Sequence, residues 1–191
     1  MSKKIFVPTT EELEIEYKRI SGKKKYNTAL RSTITLLLFI AAVSILLSMF
    51  IFPVLQIYGS SMTPVLNDGE LVVCLKTNNL EQGDLVAFYY NNKILVKRLI
   101  ANSGEWVDMD QEGNVYVNNI LLDEPYVDEK ALGDVDIEFP YQVPEGKYFF
   151  MGDHRSISID SRNTTIGCIS DEQIIGKLIC KIYPFKKFEL F

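Results

Sequence analysis

The chain has 191 residues with 47% hydrophobic and 24% charged side chains, a composition that excludes a disordered tail and suits one folded domain with an anchor. Its net charge of −5 is unevenly divided: residues 1–52 carry +4 from eight Lys/Arg and four Glu, and the remaining 139 residues carry −9. An acidic domain argues against nucleic acid as a partner, whereas the basic N-terminal end suits the anionic face of a lipid bilayer.

The spacing of cysteine and histidine predicts no metal site. Cys74, Cys168 and Cys180 contain no Cys-x-x-Cys pair, and His154 is the single histidine. These residues cannot complete a zinc-binding pattern, so we expect neither a metal nor another cofactor. Cys168 and Cys180 could form a disulfide, but spacing alone fixes no connectivity, and the simpler interpretation is three small core residues.

The first predicted element is a short helix near the N-terminus. Thr9 and Glu12 have the spacing of a capping box, and apolar residues follow at helical intervals. Ser21-Gly22 is predicted to end this helix. No chemistry is assigned to it.

A long uncharged stretch follows, from Ser32 to Phe52. Its 21 residues would form a helix about 31 Å long, which matches the hydrocarbon core of a bilayer. A buried core helix would usually carry a polar stripe, and a cleavable signal peptide would be shorter and begin nearer the N-terminus. We therefore predict a transmembrane helix at residues 32–52, ended by Pro53.

The basic residues around this stretch predict its orientation. Lys23-Lys24-Lys25 and Arg31 precede it, and the next basic residue is Lys76. The positive-inside rule assigns residues 1–31 to the cytoplasm and residues 53–191 to the outside, in a single-pass protein of the plasma membrane.

The remainder predicts a mainly β domain, because short runs rich in Val, Ile, Tyr and Phe alternate with Gly and Asn. The predicted strands are residues 54–58, 71–75, 84–90, 94–100, 115–122 (with an internal turn), 147–151 and 176–183. Asn91-Asn92 predicts a hairpin turn. Residues 123–146 are acidic, contain three prolines and predict a longer excursion from the strands.

The turn at residues 59–70 contains two adjacent serines, Ser60 and Ser61. A serine in this setting is either a turn residue or a nucleophile, and a nucleophile needs a base. The Gly-x-Ser-x-Gly elbow is absent because Thr63 replaces the second Gly, and Ser-x-x-Lys is absent because Pro64 replaces the Lys. The base must therefore come from elsewhere in the chain.

Two residues could supply the base. His154 lies in a polar turn, where a lone histidine is more often a solvated loop residue. Lys97 lies inside a predicted strand, on the face opposite to Arg98, which cannot lose its proton. Lowering the Lys97 pKa from about 10.4 to about 8 would cost the charged form roughly 3 kcal/mol, which burial among apolar side chains can supply. The alternative is an ordinary strand lysine whose ammonium reaches water.

Residues 152–162 form a third polar segment. In an extended conformation, Ser156, Ser158 and Asp160 would share one face. Asp160 could pair with Arg162, and Ser158 could hydrogen-bond the amine of the candidate lysine base and orient it. The alternative is a surface loop with ordinary turn chemistry.

Together these segments resemble bacterial type I signal peptidases, membrane-anchored Ser–Lys proteases that remove signal peptides, in a Gram-positive-like form with one N-terminal span. The resemblance covers nearly everything from the membrane span to the C-terminus. Its motifs are Gly59-Ser60-Ser61-Met62-Thr63-Pro64-Val65-Leu66, Gly83-Asp84-Leu85-Val86, Val96-Lys97-Arg98-Leu99-Ile100, and Gly152-Asp153-His154-Arg155 continuing through Ser158-Ile159-Asp160-Ser161-Arg162.

The resemblance implies a signal-peptidase-like β-barrel or β-sandwich catalytic domain with one N-terminal transmembrane helix. It implies Ser61 as the nucleophile and Lys97 as the general base, signal peptides of secreted preproteins as substrates, and no metal or cofactor. The supporting residues that it implies are Ser158, Asp160, Arg162 and Asp153. The substrate would add as a β-strand and place small side chains, as in Ala-x-Ala, in pockets lined by Ile57, Tyr58, Gly59, Met62, Leu66, Leu95 and Val96.

The chain departs from the family pattern at a few positions. Val65 replaces the usual Thr, His154 the usual Asn, and Ala101 and Glu105 the usual Gly and Asp. Gly59 stands where some members have a Ser that helps to bind the oxyanion. That task would fall here to backbone N–H groups, including that of Ser61.

Three alternative functions stay open. A specialised peptidase for pilin or surface-protein precursors would use the same catalytic residues. A non-catalytic assembly chaperone on the same fold would lack the serine or the lysine, and both are present. A membrane-anchored β-binding module would explain neither Ser61 nor Lys97.

Overall fold

The structure is a computed structural model that describes residues 9–185 and 188–191. Its contacts divide the chain into two units, Met1–Ser48 and Met49–Phe191, each of which is described by itself. The part of the predicted cytoplasmic segment at residues 1–8 lies outside the described residues.

The N-terminal element is one continuous helix, α1, from Thr10 to Ile51. The predicted capping box is present: the Thr9 N–H donates to Glu12 Oε2 at 3.0 Å, and the Glu12 N–H donates to Thr9 Oγ1 at 3.4 Å. The prediction that Ser21-Gly22 ends the helix is wrong. A single helical Gly costs only about 1 kcal/mol, which the good helix formers on both sides offset, and the helix continues into the apolar stretch. Its portion Thr10–Leu46 is long and apolar enough to cross a membrane.

Among the described residues, twelve strands form two antiparallel sheets, which confirms the mainly β prediction. The larger sheet contains β1 (Val54–Gln56), β2 (Leu71–Leu75), β3 (Leu85–Tyr90), β4 (Lys93–Ala101), β9 (Lys147–Met151), β10 (Ile169–Ser170), β11 (Ile174–Tyr183) and β12 (Glu189–Leu190). Its order is β1-β2-β11-β3-β4-β9-β10, with β12 paired to β11. The smaller sheet contains β5 (Trp106–Met109), β6 (Val115–Val117), β7 (Ile120–Leu121) and β8 (Tyr141–Gln142), in the order β7-β6-β5-β8.

Two asparagine pairs form the tight turns of this fold. Asn91 and Asn92 have φ angles of 44° and 63°, and Asn118 and Asn119 have φ angles of 52° and 65°. Two successive positive φ angles suit a type I′ turn, whose twist matches that of the flanking strands. The first pair therefore forms the predicted hairpin between β3 and β4.

The core consists of three apolar clusters, two of which pack around the larger sheet. One of these lies beneath the serine turn and contains Ile57, Met62, Leu66, Val72, Cys74, Leu85, Ala87 and Leu178. The central strand β3 contributes to both clusters because its successive side chains point to opposite faces and both faces are covered. The serine turn therefore rests on packed side chains.

The three cysteines are free thiols, so the disulfide that the spacing left open is not formed. Cys74 and Cys180 are buried, and burial raises the pKa of the Cys74 thiol to about 12. Cys168 is half-buried, with its Sγ 3.9 Å from the Tyr141 hydroxyl. All three serve as small packing residues.

Candidate active site

The serine turn is a closed loop between β1 and β2. The Ile57 N–H donates to Glu70 O at 2.8 Å, and the Gly69 N–H donates to Ile57 O at 2.9 Å, so the two ends of the loop are held together. Gly59 has a φ of +86°, a conformation that favours glycine. Ser61 lies half-buried within the loop.

Ser61 and Lys97 line the same cleft, which has a volume of about 660 Å³. One wall comes from β1 and the segment after it, and the other from the turn and first half of β4. The lining residues are Val54, Leu55, Gln56, Ile57, Tyr58, Gly59, Ser61, Met62, Asn92, Lys93, Ile94, Leu95, Val96 and Lys97. Six of the seven residues predicted to bind substrate are in this lining: Ile57, Tyr58, Gly59, Met62, Leu95 and Val96.

Leu66 is the exception, and its predicted place in a substrate pocket is corrected. Its N–H donates to Met62 O at 2.8 Å in a helical turn, and its side chain is fully buried in the cluster beneath that turn. It therefore supports the serine turn from within the core and is absent from the cleft lining.

Both walls of the cleft are strand edges. β1 is the terminal strand of the larger sheet and pairs with β2 alone among the described strands. β4 pairs with β3 from Lys93 to Arg98, but it pairs with β9 only from Arg98 onward. Residues 93–97 therefore leave one edge open for an added strand.

Lys97 lies on β4 opposite Val86, and only 4% of its surface is exposed. Its Nζ donates to Ser158 Oγ at 2.9 Å, so the hydrogen bond predicted from the sequence is present. Burial lowers the pKa of Lys97 from 10.5 to about 8, against the opposing charge of Asp160 and with the help of Arg162. With this pKa, about a tenth of the amine is neutral at pH 7 and about half at pH 8.

The segment that carries Ser158 is a series of tight turns, not an extended strand. Ser156 is exposed, whereas Ser158 and Asp160 are buried, so the three residues do not share one face. Arg162 donates to both Asp160 oxygens at 2.8 Å, and Asp160 Oδ2 also accepts the Gly152 N–H at 2.9 Å. Burial raises the pKa of the Asp160 carboxyl, but the hydrogen bonds and charge of Arg162 outweigh it and hold this pKa below the usual range.

Gly152 lies where the serine turn and the Ser158 segment meet. A Cβ at this position would lie 2.2 Å from Ser158 Oγ and 2.6 Å from Ser61 O. Only glycine allows this close approach, which brings the backbone of Ser61 next to the hydroxyl that orients Lys97.

Asp153 supports the site through Arg98, the residue that follows Lys97 on β4. It accepts hydrogen bonds from Arg98 Nε at 2.8 Å and from Arg98 Nη2 at 2.6 Å, and Arg98 Nη1 donates to Gly83 O at 2.7 Å. The ring of Tyr126 lies 3.8 Å from Arg98 Cζ, a cation–π contact. Burial raises the pKa of the Asp153 carboxyl even though Arg98 opposes this shift.

Sequence analysis missed Glu124, which lies in the acidic excursion. Both of its carboxylate oxygens accept hydrogen bonds from the guanidinium of Arg155, and both side chains are fully buried. Arg155 Nε also donates to Gly152 O at 3.1 Å, and Arg162 Nη1 donates to Leu132 O at 2.7 Å. The excursion is thus tied to the Ser158 segment, a connection that no local sequence signal reveals.

Lys181 is a second residue that sequence analysis missed. It is buried on β11, and its Nζ donates to Val65 O at 3.1 Å within the serine turn. The same Nζ lies 3.4 Å from Glu70 Oε2 and 3.0 Å from Glu189 Oε2. This ion cluster holds the far end of the serine turn to the sheet.

The chain is similar to known proteins over most of its length. The family described as signal peptidase, peptidase S26, matches residues 30–183. Signal peptidase I T of Bacillus subtilis (strain 168) is 36% identical over an alignment of 180 residues that covers 87% of this chain and 92% of that protein. Signal peptidase IB of Staphylococcus aureus (strain COL) is 37% identical over an alignment of 161 residues that covers 73% of this chain and 82% of that protein.

A crystal structure of a signal peptidase I from Enterococcus faecalis is 28% identical, with a TM-score of 0.43, and the match covers 53% of this chain and 97% of that one. The extent of the family match and the identity to the two relatives over most of their length establish the family. The chain belongs to the signal peptidase family, peptidase S26.

Proposed function

We propose that this protein is a membrane-bound serine endopeptidase that removes N-terminal signal peptides from exported preproteins, with Ser61 as the nucleophile and Lys97 as the general base. One observation carries the proposal: a buried lysine, whose pKa is lowered to about 8, lines the same cleft as a serine held in a closed turn. A lysine with this pKa can accept a proton near neutral pH.

The proposed reaction has two stages. Neutral Lys97 accepts the proton of Ser61 Oγ, which attacks the carbonyl carbon of the scissile peptide. The tetrahedral intermediate collapses to an acyl-enzyme, and Lys97 returns the proton to the leaving amine of the mature protein. Lys97 then removes a proton from water, which attacks the ester; the signal peptide is released as a carboxylic acid, and Lys97 returns the proton to Ser61 Oγ.

The oxyanion needs hydrogen-bond donors while the tetrahedral intermediate exists. Among the described residues, the Ser61 N–H has no acceptor within the protein. It is therefore available to donate to the developing oxyanion. Gly59 carries no side chain that could add a second donor, so further donors would have to come from the backbone or from solvent.

The substrate is proposed to bind as an extended segment between the two open strand edges. Its backbone would pair with residues 57–58 on one side and with residues 95–96 on the other. Ile57 and Val96 line this cleft. We propose that small side chains at alternate positions of the substrate, as in Ala-x-Ala, pack against them. This arrangement makes signal peptides of secreted preproteins the proposed partners.

The bilayer is the second proposed partner. We assign residues 1–31 to the cytoplasm, residues 32–52 to a transmembrane helix and residues 53–191 to an extracytoplasmic catalytic domain. The uncharged stretch within α1 and the basic residues before it support this assignment. The net charge of −9 on the catalytic domain argues against nucleic acid as a partner.

Cleavage of a purified preprotein tests the proposal. The full chain in detergent is expected to release a mature protein whose new N-terminus follows the Ala-x-Ala site, as identified by mass spectrometry. Lys97→Ala removes the base and is expected to abolish cleavage, while the exposed lysine control Lys147→Ala keeps it. Cleavage by Lys97→Ala at the same bond would contradict the proposed mechanism.

A further inference from the structure

The only histidine of the chain connects the two segments that form the site. The His154 N–H donates to Ser61 O at 3.1 Å. Its ring Nδ1 lies 2.7 Å from Thr63 Oγ1, also in the serine turn. The His154 carbonyl accepts the Ser158 N–H at 3.1 Å. One residue thus contacts the backbone of Ser61, the side chain of Thr63 and the backbone of Ser158.

The hydrogen-bond network determines which ring nitrogen carries the proton. Thr63 Oγ1 lies 2.8 Å from Ser60 O, which as a carbonyl oxygen can only accept. The single hydroxyl proton of Thr63 therefore points to Ser60 O, and its lone pairs face His154. Nδ1 of His154 must then donate to Thr63 Oγ1.

With the proton on Nδ1, Nε2 is the acceptor of the neutral ring, so the tautomer by itself does not separate a base from a positioning residue. The contacts of His154 with the two segments make that distinction. The contacts of His154 with Ser61 and Thr63 join the Ser158 segment to the serine turn, and Gly152 allows these segments to approach closely. The geometry therefore favours a mechanical connection between the nucleophile and the partner of Lys97.

We propose that His154 is a positioning residue: through its Nδ1–H to Thr63 and its N–H to Ser61, it fixes the serine turn against the Ser158 segment and so sets the placement of Ser61 relative to Lys97. This inference rests on the proposed peptidase function. It concerns kcat more than KM, because the substrate-binding edges at residues 57–58 and 95–96 are held by other contacts.

Chemically matched variants separate this role from general packing. In His154→Asn the amide nitrogen stands two bonds from Cβ, as Nδ1 does, and can donate to Thr63. In His154→Gln the amide is one bond further out. Thr63→Ser keeps the hydroxyl, and Thr63→Val removes it at nearly constant shape.

Steady-state cleavage by the full chain in detergent is the first measurement. His154→Ala, His154→Gln and Thr63→Val are each expected to lower kcat about tenfold, the scale of one net hydrogen bond, with KM within about twofold. His154→Asn and Thr63→Ser are expected to stay within about threefold of the parent. The double variant His154→Ala/Thr63→Val is expected to lose no more than either single variant, because both remove the same bond.

Hydrogen–deuterium exchange supplies a measurement that does not depend on cleavage. Peptides covering residues 57–70 are expected to exchange faster in His154→Ala and Thr63→Val, and at the parental rate in His154→Asn. Unchanged exchange, an unchanged kcat in His154→Ala, or equal behaviour of the Asn and Gln variants would overturn the inference. Ser61→Ala in the same cleavage assay tests the proposed peptidase function separately from the role of His154. Cleavage by Ser61→Ala would contradict the proposed function. The exchange data would still decide whether His154 holds the serine turn.

Discussion

At the scale of single residues, burial decides the protonation of Lys97. Asp160 and Asp153 favour its charged form, but removal of the amine from water outweighs them and leaves the pKa at about 8. Ser158 Oγ accepts a hydrogen bond from the Lys97 amine at 2.9 Å, and this bond fixes the direction of the amine. Lys97 therefore combines a lowered pKa with a fixed direction of its amine, and both suit the proposed role of general base.

The pH dependence of cleavage follows from this pKa. The neutral amine is the active form, so kcat/KM is expected to rise as the pH increases through about 8 and to level off above it. A cleavage rate series between about pH 6 and pH 9.5 on the full chain measures this midpoint. A rate that falls as the pH increases through this range would contradict a lysine base.

Substitution of Gly152 tests the close approach between the serine turn and the Ser158 segment. In Gly152→Ala the new methyl group would overlap Ser158 Oγ and Ser61 O, so one segment must move. We expect kcat to fall by at least about tenfold, because small misplacements of reacting groups are costly. Gly22→Ala, where no atom lies within 4 Å, is the control and is expected to cleave normally. Parental activity in Gly152→Ala would mean that the approach is not needed for catalysis.

At the scale of elements, the excursion at residues 123–146 stabilises the Ser158 segment through buried contacts. Glu124 pairs with Arg155, and Leu132 O accepts a hydrogen bond from Arg162. Arg155 and Arg162 in turn hold Gly152 and Asp160. The Ser158 segment thus keeps its turns because two buried arginines bridge it to a distant stretch of chain.

Neutralising Glu124 is expected to weaken this connection. Glu124→Gln leaves the buried Arg155 charge without its counterion, which typically costs about 3 kcal/mol of the free energy of unfolding. Glu129→Gln, at an exposed position of the same excursion, is the control and is expected to change this free energy by less than about 0.5 kcal/mol. Denaturant unfolding of the full chain in detergent compares them. Equal stability of the two variants would show that the pair is not stabilising.

The predictability of the elements depended on their length and pattern. The five-residue strands β2 and β9 have the bounds that their apolar runs predict. Four strands were missed: β5 has four residues, a short run that did not stand out in the sequence, and β8, β10 and β12 have two residues each, too few to show any periodicity. The break predicted at Ser21-Gly22 did not occur, because a local helix breaker is weak against strong helix formers on both sides.

Site residues in a local sequence motif could be predicted, whereas those placed by contacts between distant segments could not. Lys97 and Ser158 were paired from the sequence because each lies in a distinctive motif, and their hydrogen bond is present. Leu66, Glu124 and Lys181 could not be assigned correctly, because their positions depend on which chain segments pack beneath the serine turn and around the Ser158 segment. Contacts between distant segments leave no local pattern in a single sequence.

At the scale of the whole molecule, the proposed membrane orientation rests on the distribution of basic residues. The segment before the uncharged stretch carries an excess of Lys and Arg, and the positive-inside rule assigns such a segment to the cytoplasmic side. External protease added to intact cells is therefore expected to remove a C-terminal epitope tag and to leave an N-terminal tag protected. Lysed cells, in which both tags are digested, are the control. Protection of the C-terminal tag in intact cells would contradict the proposed orientation.

The central claim is that Ser61, and not its neighbour Ser60, attacks the substrate. The two serines share one turn, and alanine at either position keeps the backbone bonds of that turn, so each variant is the control for the other. The decisive measurement is preprotein cleavage by full-length Ser61→Ala and Ser60→Ala, with the product N-terminus identified by mass spectrometry. We predict no cleavage above background by Ser61→Ala and a rate within about threefold of the parent by Ser60→Ala. Release of the same mature protein by Ser61→Ala would contradict the account.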